Sequence, residues 1–163
     1  MPRGLDWPAL REMAAAGMEI GSHSLTHPFM HRLSPADIRR EFEESKRILE
    51  DGLGRPVTFA SLPRGSAAPG MGGLIAALGY RAFCTSEPGL VSAATDPFAM
   101  PRIAIKRRTS AAFLRHVLAG RPLTLATLRS CHVVKRLGKR LVGADRWRRA
   151  RVALAAAAER AGL

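Results

Sequence analysis

Glu19-Ile20-Gly21-Ser22-His23-Ser24-Leu25-Thr26-His27-Pro28 decides how this chain is read, because two histidines four apart follow directly on a short strand candidate, Met18–Ser22. In an α/β protein the segment after a strand lies at the edge of the sheet where ligands bind. Neutral imidazole nitrogens are good zinc ligands, and His23 and His27 can converge on one ion if the loop folds as a turn. A zinc-protease helix is a poor fit: Ser24 stands where a general-base glutamate would follow the first histidine, and Pro28 pushes His27 out of helical geometry. The second reading of the pair is structural, with both imidazoles hydrogen-bonding to loop backbone. His31, four residues on, is a third ligand by count, but Pro28-Phe29-Met30 carries it toward the next helix.

Outward from this stretch, helices and strands alternate. Asp6 can cap a helix with Trp7, Leu10, Met13 and Ala14 on one side and Gly17 at its end. Ser34 with Pro35 opens a second helix, whose inner face is Ile38, Phe42, Ser45 and Leu49 and whose outside carries Glu41, Glu43, Glu44, Lys46 and Arg47; Gly52 and Gly54 close it. Val57–Ala60 and Tyr80–Thr85 read as strands around an apolar helix at Leu74–Leu78. Arg102–Lys106 reads as a last strand, and Ser110 caps a helix through Val117 to Gly120. From Leu123 the signals are helical. Alternation of this kind predicts parallel strands with crossover helices, and four strand candidates fall short of the roughly eight that close a barrel.

Composition fits a helix-rich α/β protein: 163 residues, 47% hydrophobic, 6% aromatic. The formal net charge of +13 implies attraction to something anionic. Arg129, Lys135, Arg136, Lys139, Arg140, Arg146, Arg148, Arg149 and Arg151 crowd the last third, where Trp147, Leu154 and Ala158 can line one helix face. No reader motif or aromatic stacking platform for nucleic acid is present. Cys84 and Cys131 are too few for a disulfide framework and read as buried thiols in a reducing compartment. The uncharged stretch from residue 65 to 80 is broken by Pro69 and glycines, so no membrane span is expected. The first residues lack the apolar core of a signal peptide, so the chain as written reads as cytoplasmic.

Met13 to Pro28 resembles the second signature of the polysaccharide deacetylase family, also called NodB-homology or carbohydrate esterase 4. The resemblance continues through Leu33-Ser34, Ser45-Lys46, Gly54-Arg55-Pro56-Val57 and Gly79-Tyr80-Arg81-Ala82, covering roughly residues 7–106. It implies a partial (β/α) barrel lacking its first strands over residues 1–120, with a basic helical C-terminal extension over 121–163. It implies a hydrolase that removes acetyl groups from an amino-sugar polysaccharide or glycan precursor. Zn2+ or another divalent metal would be held by His23, His27 and an aspartate from a Thr-Phe-Asp-Asp-Gly signature whose other aspartate is the general base.

That aspartate signature is absent from this sequence. The resemblance therefore implies an N-terminally truncated chain of impaired activity, its metal weakly held or absent. Asp6 and Glu19 are the nearest carboxylates, the first better used as a cap and the second at a family position that does not bind metal. Ser61-Leu62-Pro63-Arg64-Gly65 resembles the third signature, Arg-x-Pro-Tyr-Gly, and makes the backbone N–H of Arg64 the expected oxyanion donor; Ser61 replaces an arginine that orients the base. Thr85-Ser86-Glu87-Pro88 departs from the family's aspartate–tryptophan element, no histidine follows Arg102, and His116 and His132 read as structural. The alternative is a non-catalytic fragment whose basic C-terminal helices bind an anionic partner or membrane surface.

Overall fold

The computed structural model describes residues 4–65, 67–107, 109–143, 146, 147, 149, 150 and 153. Leu154, Ala158, Arg148 and Arg151, assigned above to an amphipathic helix, lie outside the described residues. Two compact units divide the chain, Met1–Ala104 and Ile105–Leu163.

The first unit opens on helix α1, Trp7–Ala15, capped by the Asp6 carboxylate, which accepts from the Ala9 N–H at 3.0 Å. Helix α2, Pro35–Leu53, starts at Ser34, whose hydroxyl accepts from Asp37 N–H, and ends at Gly54 with φ +68°, a left-handed conformation that glycine adopts without Cβ cost. Gly52, expected to close this helix, lies inside it and serves packing instead: a Cβ there would come within 2.1 Å of the Trp7 ring. Trp7 thus lies on the bare backbone of α2 and docks the two helices.

Two strands follow, β1 (Phe59–Ser61) and β2 (Ala82–Cys84), parallel, with Phe59 opposite Ala82 and Ser61 opposite Cys84. Helix α3, Met71–Ala77, makes the crossover between them. The expected strand at Met18–Ser22 contributes a single bridge, Ser22 to Ala60, and the one expected at Arg102–Lys106 does not form; its place beside β2 is taken by a bridge from Cys84 to Met100. Proline explains part of this. Pro101 has no N–H for a ladder, and Arg102 turns away to donate its N–H to the Glu87 carbonyl. The parallel order across the unit is therefore Ser22, β1, β2, Met100, a piece of a barrel wall.

Behind this wall Phe42, Phe83, Met30, Ile75 and Val57 are fully buried. The Phe42 ring meets Tyr80 and Phe83 edge-on, at centroid distances of 6.3 and 5.9 Å. Such aromatic contacts and the buried apolar area hold α2 against the strands, and truncating Phe83 to alanine costs about 3–5 kcal/mol by the usual scale.

The second unit contains helix α4, Ala111–Leu118, capped by the Ser110 hydroxyl, and helix α5, Pro122–Val142, which packs against it. The Trp147 ring covers Gly138 as Trp7 covers Gly52. Cys84 is partly buried and Cys131 exposed, both as free thiols, which corrects the expectation of two buried ones. Among the described residues no helix is long and apolar enough to cross a membrane.

Candidate functional site

Each functional side chain hangs from the C-terminal end of a wall segment: His23 follows the Ser22 bridge, Arg64 follows β1, and Arg102 follows the Met100 bridge. Gly21 lets the first of these approach β1, since a Cβ there would be 3.0 Å from the Phe59 carbonyl oxygen. The buried Ser22 hydroxyl then hydrogen-bonds the Ser45 hydroxyl of α2 at 2.9 Å and accepts from Ser24 N–H.

The loop that carries the histidines is strained and held. Ser24 and His27 have φ of +67° and +59°, in the left-handed region that side chains with a Cβ enter at a cost. His27 N–H donates to the Ser24 hydroxyl. The Glu41 carboxylate accepts three hydrogen bonds, from Leu25 N–H at 3.0 Å, Thr26 N–H at 2.8 Å and the Thr26 hydroxyl at 2.7 Å. Partial burial pushes the Glu41 pKa up, but these bonds to the ionised form outweigh it and hold the carboxyl below its ordinary value. Sequence reasoning placed Glu41 among the solvated outer residues of α2. Nothing in its local sequence, Glu41-Phe42-Glu43-Glu44, sets it apart from the neighbouring acids.

The His23 and His27 rings sit 5.0 Å apart, tilted by 52°. His23 Nδ1 lies 3.1 Å from the Ser61 carbonyl oxygen and 2.6 Å from its hydroxyl. A carbonyl only accepts, so this contact calls for the Nδ1–H tautomer and leaves the lone pair on Nε2 for a cation. Desolvation lowers the His23 pKa; the bond to Ser61 opposes this, and the nearby charges of His27 and Arg102 add to the lowering. A neutral ring is the form a metal needs.

Arg64 closes the site from the other side. Its backbone is left-handed, φ +54°, and its Nε donates to the His27 carbonyl at 2.8 Å while the guanidinium lies 4.6 Å over the Phe29 ring. The sequence reading concerned only the main-chain N–H of Arg64; the side chain as a tie between the two loops was missed. Arg102 braces the wall ends, donating to the carbonyls of Thr85 at 2.6 Å and Leu62 at 3.2 Å.

The remaining candidates lie elsewhere. Asp6 caps α1, Glu19 pairs with Arg55 at 3.5 Å, and His31 stands edge-on to Phe29 at 5.8 Å. Among the described residues no three His, Cys, Asp or Glu side chains could hold a metal ion together. The histidine pair fits two positions of a tetrahedral site, not a whole one.

The family model for polysaccharide deacetylases matches residues 4–83. The Bacillus subtilis (strain 168) protein named "Putative polysaccharide deacetylase YxkH" is 27% identical over 96 residues, which cover 59% of this chain and 34% of that protein. The Streptococcus pyogenes deacetylase PplD, solved in complex with acetate, superposes with a TM-score of 0.65 at 26% identity, covering 71% of this chain and 51% of that one. The Bacillus cereus polysaccharide deacetylase BC0361 shares the fold, with a TM-score of 0.59 at 22% identity over 68% of this chain and 35% of its own. The chain thus spans about a third of the length of its curated relative and about half of the streptococcal structure. The helix–loop–strand order, the histidine pair and the turn after β1 all fall within the matched segment, so residues 4–83 of this chain are similar to the polysaccharide deacetylase family, whose solved members share its fold.

Proposed function

We propose that this chain supplies the histidine side and the oxyanion turn of a deacetylase that removes acetyl groups from an amino-sugar polysaccharide or glycan precursor. The observation that carries the reading is the arrangement of His23 and His27, with Nε2 of His23 left for a cation, beside the left-handed turn at Arg64. Hydrolysis of an acetyl group passes through a tetrahedral oxyanion, and the Arg64 backbone N–H is the donor assigned to it, since a main-chain donor needs no particular side chain. The divalent ion on which the family generally depends finds two imidazoles here and no third described ligand, so no catalytic step is drawn through it. No general base and no third ligand are assigned among residues 1–163, because the sequence holds no paired-aspartate signature.

Two measurements on the 163-residue chain test this. Zinc titration by calorimetry should give weak binding that disappears in the His23→Ala, His27→Ala double variant. Acetate release from a chitooligosaccharide should be at background. Weak binding indifferent to the double variant would remove the metal role from this pair. Robust, chelator-sensitive acetate release would show that a base and a third ligand lie within the chain after all.

A further inference from the structure

The charge of this protein is divided unevenly between its units. Residues 1–104 carry 11 Lys/Arg and 11 Asp/Glu, whereas residues 105–163 carry 15 Lys/Arg against 2 acids, so the whole net charge of +13 belongs to the second unit. Helix α5 combines that charge with an apolar stripe. Leu123, Val134, Leu137 and Leu141 recur at spacings of eleven, three and four residues, which brings them onto one side of the helix. All four face solvent, Leu123 at 84% and Leu141 at 82% exposure. The less exposed residues of α5, among them Leu125 and Leu128, lie on another side, so the stripe is not the face that packs inward.

We propose that α5 docks in the plane of an anionic lipid bilayer, its leucine stripe entering the interface and its basic residues meeting the headgroups. Arg129 and Lys135 are exposed and lie about 120° around the helix from the stripe, one to each side, from where their long aliphatic stems can reach up to headgroup phosphates while the leucines go deeper. The lipid reading outranks a polyanion in solution because four exposed aliphatic side chains gain nothing from a phosphate backbone, and no aromatic residue on the stripe offers a base a stacking surface. It outranks a second copy because two such units would bring like charges of 13 together. Neither unit needs a membrane span for this.

The test is flotation of the full chain with vesicles of phosphatidylcholine alone or mixed with phosphatidylglycerol. Binding is expected to the mixed vesicles only, to weaken as salt rises, and to fall by roughly tenfold or more in the Leu137→Glu, Leu141→Glu variant. Both sites are solvent-facing, and far-UV circular dichroism checks that the variant keeps its helix content. A separate Lys135→Ala, Arg129→Ala variant should lose the preference for anionic lipid while α5 remains helical. Equal binding of wild type and the leucine variant to mixed vesicles would overturn the proposal, leaving unspecific charge. So would a dimer in sedimentation velocity that the leucine variant abolishes, since the stripe would then belong to a second copy.

Discussion

The Nε of Arg64 donates to the carbonyl oxygen of His27 at 2.8 Å, and the same guanidinium lies over the Phe29 ring. One side chain therefore joins the turn after β1 to the loop that holds both histidines, and does so at a His27 backbone that is itself left-handed. A charge-assisted bond with a cation–π contact is worth about 1–3 kcal/mol locally. Replacing Arg64 by glycine removes the tie and keeps the turn, because glycine accepts φ of +54° without strain. Amide exchange at Leu25, Thr26 and His27 should then quicken about tenfold or more, with Ala60 and Phe83 in the strands unaffected, as read by NMR. Unchanged exchange in the loop would show that Glu41 alone sets its position.

Glu41 gives the loop a dependence on pH. Its carboxyl sits below the ordinary value in the folded chain, because the bonds from Thr26 and Leu25 favour the ionised form over the desolvation that opposes it. The contribution to stability is accordingly present above the unfolded value, near 4.5, and is lost as pH falls through the lower folded value. Exchange at Leu25 and Thr26, corrected for its intrinsic pH dependence, should accelerate in the wild type as pH falls below the unfolded value and through the lower folded one. In Glu41→Gln it should already be fast at neutral pH and show little further change on acidification, since a neutral amide accepts more weakly than a carboxylate.

The helices were readable because their caps and periods are local: Asp6, Ser34 and Ser110 each do what their position before an apolar repeat announces. The two strands of the sheet were readable in place and order but not in length, and whether a segment such as Arg102–Lys106 joins a sheet at all depends on a neighbour far away in sequence. The histidine pair was visible from spacing, and Arg64 from its turn. What holds these residues was not visible, because Glu41 and the Arg64 side chain act across gaps of 15 and 37 residues, and an exposed acid on a helix looks the same whether or not a loop lies over it.

Tyr80 offers a clean optical check on the packing under the site. Its ring is buried, its hydroxyl donates to the Phe42 carbonyl at 2.9 Å, and desolvation pushes its pKa up to about 12. Since it is the one tyrosine in the sequence, absorbance near 295 nm reports it alone. The midpoint should lie near 12 in the folded chain and return to about 10 in denaturant. A raised acid pKa means the neutral form is favoured by folding, so this contribution holds below about pH 10 and is lost as pH rises toward 12. Tyr80→Phe keeps the ring contact with Phe42 and loses the hydrogen bond, which should cost about 1 kcal/mol in denaturant unfolding.

Gly52→Ala sets two opposing effects against each other. In an unobstructed helix interior alanine replaces glycine with a gain of about 1 kcal/mol. Here the new methyl would come 2.1 Å from Cζ3 of Trp7, and the contacted group is a rigid indole rather than a flexible tip. Trp7 must leave its seat on α2, giving up the apolar area that docks α1, and overpacking of this kind costs about 1–3 kcal/mol. The steric term should win, lowering the melting temperature. In a Trp147→Phe background the Trp7 fluorescence should shift to longer wavelength as the ring enters water. If Gly52→Ala instead raised the melting temperature with no change in emission, α1 would not be held by this contact, and the histidine loop that follows α1 would have to take its position from Glu41 and Arg64 alone.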